Sequence, residues 1–186
     1  MSNLRLQVSM VVATMVSFAL MLIVNEWLFT RLEFARGINW IYLPAGVRLL
    51  STLLFGEAGA VGLLLVSWLV CFFYFFPDDY ARSFVGGILA AAAPYLAYRI
   101  AQHFYGLDAS LRNLSPWRLL ACVAGYAIAS PLLHHLWFAL HGDTTDLLRR
   151  FAVMAAGDFI GTLIVIYAMK LLLSFLPARG RATIRP

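Results

Sequence analysis

Long apolar runs, separated by short polar stretches, dominate the pattern along this chain. Most of the runs reach the roughly 20 residues that an α-helix needs to cross a bilayer. The pattern therefore predicts an all-α, polytopic membrane helix bundle with about six transmembrane helices. These helices cover about residues 7–30, 41–56, 58–76, 83–104, 116–141 and 148–175.

The second of these segments, residues 41–56, is the weakest predicted span. It is short, it carries Arg48, and the tight Gly56–Gly59 connection joins it to the third segment. We favour two separate spans, and a half-span or re-entrant hairpin is the alternative. In domain terms, residues 1–176 form a single transmembrane helical domain, and residues 177–186 form a basic, flexible tail.

Composition excludes a water-soluble domain. Hydrophobic residues make up 62% of the chain and charged residues 12%, and the mean hydropathy is +0.83. A soluble domain carries about 25% charged residues. The net charge of +5 comes from dispersed arginines rather than a basic patch, so we expect a lipid bilayer and no nucleic acid as partner. The first apolar run is too long for a signal peptide, so we interpret it as an uncleaved span.

The distribution of arginine predicts the orientation in a bacterial inner membrane. With the N-terminus inside, seven arginines flank the inner helix ends and five flank the outer ends, which is the expected bias. We therefore expect both termini in the cytoplasm. The inner set is Arg5, Arg99, Arg112, Arg118, Arg179, Arg181 and Arg185, and the outer set is Arg31, Arg36, Arg82, Arg149 and Arg150.

Polar residues inside the spans fall at similar depth on one side of the membrane. At a rise of about 1.5 Å per residue, Arg48 lies roughly 12 Å, His134 roughly 10 Å and Asp158 roughly 9 Å below the outer surface. Asn25 and Glu26 lie within about 8 Å of it. Ionisable groups in a span are costly and are rarely without a role. We predict a ligand-binding pocket that opens outward and is formed by these five residues, with a carboxylate of Asp158 or Glu26 holding Arg48.

Three interpretations of Arg48 and Asp158 remain open. The two side chains could form an ion pair that only locks two helices together, they could line a pocket for a polar or anionic small molecule, or they could relay protons. The first two are compatible, because a guanidinium has five N–H groups and an ion pair does not use all of them.

Catalytic, cofactor and metal motifs are absent from the sequence, so we expect no enzyme and no cofactor. The serines have no nucleophile-elbow context. His134 and His141 are seven residues apart on one helical face, and nothing resembles the spacing of a metal site. Cys71 and Cys122 lie in apolar runs and are expected as free core thiols.

Small residues predict where helices approach each other closely. Gly157 and Gly161 form a GxxxG step in the last predicted helix. Ala121, Gly125 and Ala129 form a similar ladder in the fifth. Such faces let two backbones pack closely within a membrane.

Two stretches resemble a known family. "WIYLPAGVRLLSTLLFGEAGAVGLLLVSW" and "AAGDFIGTLIVIYAMKLLL" are similar to the opening and to a late segment of bacterial membrane-associated sensor domains of the first described type. The resemblance implies a sensory input domain that serves a histidine kinase or a cyclic-dinucleotide enzyme. No such output domain follows here, so we expect the signal to pass to a separate protein. The matching positions are Trp40, Pro44, Gly46, Gly56, Gly157, Asp158 and Gly161.

Two other functional classes fit the same length and polarity. Substrate-binding components of vitamin transporters of the energy-coupling-factor type are also small, basic, six-helix membrane proteins. A non-catalytic accessory subunit of a larger membrane complex is the third class. The sensory or ligand-binding module is our leading hypothesis, and the transporter component and the accessory subunit are the alternatives.

Overall fold

The computed structural model describes residues 2–107, 111 and 114–175. Five of its helices are long and apolar enough to cross a membrane, which confirms an all-α, multi-pass membrane bundle. The predicted tail 177–186 and Arg112 lie outside the described residues. The six α-helices are α1 (Ser2–Phe29), α2 (Pro44–Phe55), α3 (Glu57–Val70), α4 (Tyr80–Tyr105), α5 (Pro116–Leu140) and α6 (Leu147–Ser174).

The second helix differs from the others in length and position. α3 continues through a π-helical turn at Cys71–Phe75 into a span of 19 residues, whereas α2 has no such continuation. α2 has 12 residues, so it is about 18 Å long and cannot cross a hydrocarbon core of about 30 Å alone. It packs against α1, α3, α4 and α6, and most of its residues are buried. Irregular backbone at Trp40–Leu43 leads into it. The prediction of one helix over 41–56 is therefore too long at its start, since the helix begins at Pro44.

A small β-hairpin precedes this central helix and was not anticipated from the sequence. Strands β1 (Glu33–Ala35) and β2 (Ile38–Asn39) pair antiparallel. The turn between them contains Gly37, whose φ of 77° suits glycine. Ile38 is buried against Val153 and Met154 of α6, so the hairpin is fixed to the bundle.

The hairpin marks one end of the bundle, which we call the hairpin end. Arg36 Nη2 donates to the carbonyl of Tyr74 at 2.7 Å, near the connection between α3 and α4. The Arg149 guanidinium lies 4.9 Å from the ring centroid of Phe34, which brings the start of α6 to the same place. The N-terminus of α1 lies at the opposite end, where Asn3 and Gly56 line one surface groove.

One face of α6 carries the backbone that leads from the hairpin into α2. The Tyr42 amide donates to the carbonyl of Gly157 at 3.1 Å. A Cβ atom at Gly157 would overlap the carbonyl oxygen of Asn39, and one at Gly161 would overlap that of Tyr42. The predicted GxxxG step therefore does allow a close approach, but its partner is irregular backbone rather than another helix.

The small-residue ladder of α5 makes no equivalent contact with the residues that the structure describes. Ala121 and Gly125 are exposed, and a Cβ atom at Gly125 would meet nothing within 4 Å. Gly125 is thus a natural control for the glycines of α6.

We predict that Gly161→Ala destabilises the fold by about 1–3 kcal/mol, because the added methyl group meets a backbone oxygen that cannot rotate away. Gly125→Ala should leave stability unchanged or raise it by up to about 1 kcal/mol, since alanine favours a helix more than glycine does. Thermal unfolding of both variants in detergent micelles measures the difference. Equal melting temperatures would contradict the assigned contact.

Candidate functional site

A cavity lies at the hairpin end, between the hairpin and helices α2, α4, α5 and α6. Its volume is about 60 Å³. Arg36 is exposed whereas Arg48 and Asp158 are buried, so the cavity extends from the surface towards the central helix. Its charged and imidazole side chains are Arg36, Arg48, Arg82, His134 and Asp158.

Arg48 lies one turn into α2 and is buried, with 7% of its surface exposed. Its guanidinium carbon is 5.2 Å from the ring centroid of Phe18 and 5.3 Å from that of Tyr42. These cation–π contacts compensate part of the cost of burying the charge. Its Nε atom has no hydrogen-bond partner, so the side chain retains an unused donor.

Asp158 is almost fully buried on α6, with 1% of its surface exposed. Its Oδ2 atom has no donor. The expected ion pair with Arg48 is not formed: among the described residues, Arg150 and Asp143 form the one pair within 4.0 Å, at 3.0 Å. Arg48 lies over two aromatic rings instead, although it remains within electrostatic range of Asp158.

Three hydroxyl groups extend this unpaired set and were missed in the sequence. Tyr126 and Ser130 of α5 and Thr162 of α6 are buried, and none of their hydroxyl oxygens makes a hydrogen bond of normal geometry. Tyr126 lies beside Arg48 and Ser130 lies beside Asp158, close enough for side-chain interactions that fall short of that geometry. Thr162 is one helical turn from Asp158 on α6. The available signal was the four-residue spacing of Tyr126, Ser130 and His134, which places them on one helical face.

We call Arg48, Tyr126, Ser130, Asp158 and Thr162 the polar cluster. Leaving one buried polar group unsatisfied costs about 1–3 kcal/mol, and more for a charged group. Native proteins rarely keep several such groups together unless water or a ligand contacts them. The polar cluster is therefore a set of buried groups whose hydrogen bonds bound water could complete.

His134 contributes a half-buried imidazole to the cavity wall. Its Nδ1 lies 2.8 Å from the carbonyl oxygen of Ser130. Because a carbonyl oxygen can only accept, Nδ1 carries the hydrogen. The histidine is within electrostatic range of both Arg48 and Arg82.

Arg82 and Arg36 also line the cavity, although the sequence suggested only flanking charges. The Arg82 guanidinium carbon is 4.2 Å from the ring centroid of Phe76 and 4.9 Å from that of Phe138. Its Nε atom is buried without a hydrogen-bond partner. Arg36 uses two of its five N–H groups within the protein, donating from Nη2 to the carbonyl oxygen of Tyr74 at 2.7 Å and from Nε to that of Phe75 at 3.5 Å.

Two of the five predicted site residues do not line the cavity. The Asn25 side-chain oxygen accepts a hydrogen bond of 2.9 Å from the Leu43 amide, at the start of α2. The Glu26 carboxylate accepts one of 3.1 Å from the Tyr74 hydroxyl. In the structure, both residues connect α1 to neighbouring segments, and only Arg48, His134 and Asp158 share the cavity.

The described part of the chain contains no group of three His, Cys, Asp or Glu residues that could hold a metal ion. His135 and His141 contact backbone carbonyls of their own helix at 2.8 and 2.9 Å. Cys71 and Cys122 are buried free thiols.

No protein-family model, curated protein or solved structure matches this chain.

We predict that Asn25→Ala costs about 1–3 kcal/mol of stability, because it leaves the buried Leu43 amide without an acceptor. Ser9→Ala is the matched control on the same helix. Its exposed hydroxyl donates to the carbonyl of Arg5, and its removal should change stability by about 0.5 kcal/mol or less. Thermal unfolding of the two variants gives the comparison. Equal stabilities would show that Asn25 does not hold the start of α2.

Proposed function

We propose that this membrane protein is a sensory or ligand-binding module that takes a small polar or anionic molecule into the cavity and signals to a separate protein. The observation that carries the proposal is the polar cluster. Arg48 and Asp158 line the cavity, and each has a buried polar atom without a partner. Three unpartnered hydroxyl groups accompany them.

The geometry favours a pocket over a pair that only locks two helices together. A locking pair would place the Arg48 and Asp158 side chains in contact, and they form no ion pair within 4.0 Å. The attachment of the α2 segment to α6 already has another source, namely the backbone contacts at Gly157 and Gly161. Removing the charges would leave those backbone contacts intact.

The position of α2 supports a role in transmitting the bound state. α2 touches four other helices and carries Arg48 at the cavity. A ligand alters a conformational equilibrium only if it contacts the two states differently. A ligand that contacts Arg48 would act directly on a helix that packs against four others.

We place the hairpin end on the periplasmic side of a bacterial inner membrane. The arginine bias of seven inner to five outer flanking residues supports this orientation. The cavity would then receive its ligand from outside the cell, as a sensor of external solutes requires.

Native mass spectrometry of the full chain, gently solubilised from its own membrane, tests the proposal. The wild-type protein should retain a small-molecule adduct, and Arg48→Gln should lose most of it. Arg99→Gln is the control, because Arg99 is an exposed arginine near the opposite end of α4, hydrogen-bonded to Tyr95 at 3.0 Å. An unchanged melting temperature in Arg48→Gln would separate lost binding from lost folding.

The same measurement distinguishes the functional classes. A co-purifying kinase or cyclic-dinucleotide enzyme supports the sensor. If a separate uptake assay shows solute transport that depends on an ATPase module, the sensor hypothesis is wrong and the protein is the transporter component. Retention in a large assembly without any adduct would overturn ligand binding and support the accessory subunit. An adduct that persists equally in Arg48→Gln would also contradict the proposed site.

A further inference from the structure

We infer that the ligand of this cavity is a small oxyanion, held between the edges of the Arg48 and Arg82 guanidiniums, with Arg82 as a specificity-determining residue. The inference rests on the proposed function and specifies its ligand. Small carboxylates and inorganic oxyanions share the necessary chemistry. Both spread negative charge over two or more oxygen atoms, which are arranged in a plane or a tetrahedron around a central atom.

The charge of the cavity favours an anion. Three guanidiniums line it, from Arg36, Arg48 and Arg82, and Asp158 is its one carboxylate. Ionised Asp158 therefore leaves an excess of two positive charges. In a site shielded from water, such an excess attracts an anion far more strongly than it would in bulk solvent. The same excess positive charge would repel a cationic ligand.

The hydrogen-bond state of the arginines identifies which two hold the anion. The Nε atoms of Arg48 and Arg82 are both buried without an acceptor. Arg36 already donates to two backbone carbonyls. Arg36 is exposed, so water can satisfy its remaining N–H groups, and it contributes mainly charge near the edge of the cavity. Arg48 and Arg82 each have a buried Nε donor that only a ligand or a bound water can reach.

Two aromatic rings pack against each of the two guanidiniums. Phe18 and Tyr42 lie against the Arg48 guanidinium, and Phe76 and Phe138 lie against that of Arg82. A guanidinium whose faces are packed still offers N–H groups in its own plane. In-plane donors are those that bind a carboxylate or other oxyanion in a two-pronged geometry.

The two arginines act on the same region of the cavity. His134 is within electrostatic range of both, although they belong to different helices, α2 and α4. One anion that contacts both would link α4 to the central helix. It would also satisfy two buried donors at once.

The size of the cavity limits the anion to a few heavy atoms. A volume of about 60 Å³ compares with the roughly 10–15 Å³ that one water molecule needs in the same kind of measure. The space suits acetate, nitrate, sulfate or phosphate, and a nucleotide is too large for it.

Purified full-length protein in zwitterionic detergent allows the test by isothermal titration and thermal unfolding. The probes are the sodium salts of acetate, nitrate, sulfate and phosphate, with acetamide as the neutral counterpart of acetate. We expect saturable binding of at least one oxyanion and none of acetamide. Separate titrations with acetate and with the inorganic anions show which of these two classes of anion the site prefers.

Variants at position 82 test the assigned clamp. Arg82→Gln should weaken oxyanion binding at least tenfold, because it removes a charged donor, and Arg82→Lys should recover part of the loss. The side chain can be exchanged without disturbing the α4 cap, which uses the backbone amide of Arg82 and the Asp79 carboxylate at 2.9 Å. Arg99→Gln on the same helix should bind like the wild type.

Each contrary result has a definite meaning. Acetamide binding as tightly as acetate, or Arg82→Gln binding like the wild type, would overturn the oxyanion clamp without excluding another ligand. Failure of all four anions to bind would overturn it as well, while the native adduct measurement judges the broader proposal independently. Unliganded melting temperatures of the Arg82 variants separate a binding defect from misfolding.

Discussion

The close approach of irregular backbone to α6 is the contact on which the rest of this fold depends. Gly157 and Gly161 leave room for the carbonyls of Asn39 and Tyr42, and no residue with a side chain could do so without a shift. The Tyr42 amide is paired to Gly157 at the same place, and the Leu43 amide is paired to Asn25. Backbone without regular structure survives at membrane depth only when protein covers it and satisfies its polar groups. Here α6 and Asn25 meet both requirements.

This contact determines where the charge of Arg48 lies. Because the chain stays irregular until Pro44, α2 begins within the bundle and carries Arg48 inward, among Phe18, Tyr42 and the cavity. Transferring an arginine from water to the centre of a bilayer costs at least about 2.5–3.5 kcal/mol on insertion scales. A protein-lined cavity that admits water, together with two aromatic faces, reduces that cost. The same surroundings leave the Nε atom of Arg48 without a hydrogen-bond acceptor.

The sequence was sufficient to predict the helices and the depth of their polar residues in the membrane. It was insufficient to predict how each helix is rotated about its axis, and so which neighbour each polar residue faces. The apolar runs predicted α1 and α3–α6, because the number of residues in a span follows from the thickness of the bilayer. Arg48, His134 and Asp158 do reach one cavity, as their similar depth suggested. Asn25 and Glu26 share that depth but turn towards Leu43 and Tyr74. α1 is apolar all round, so periodicity could not tell which neighbour its polar residues would face.

Arg82 was missed for a related reason. In the sequence, an arginine that flanks a helix end cannot be distinguished from one that lines a cavity, until the aromatic rings around it are known.

The central position of α2 has a consequence for how the protein is assembled in the membrane. A 12-residue helix that carries an arginine is a poor substrate for independent insertion, and Gly56 joins it tightly to α3. α2 is buried partly by packing against α6, which is the last of the described helices to be synthesised. Nascent chains must therefore hold α2 against α1 and α3, or within the insertion machinery, until α6 has been synthesised and packs against it. The burial of α2 is thus a folding step inside the bilayer that follows the insertion of α6.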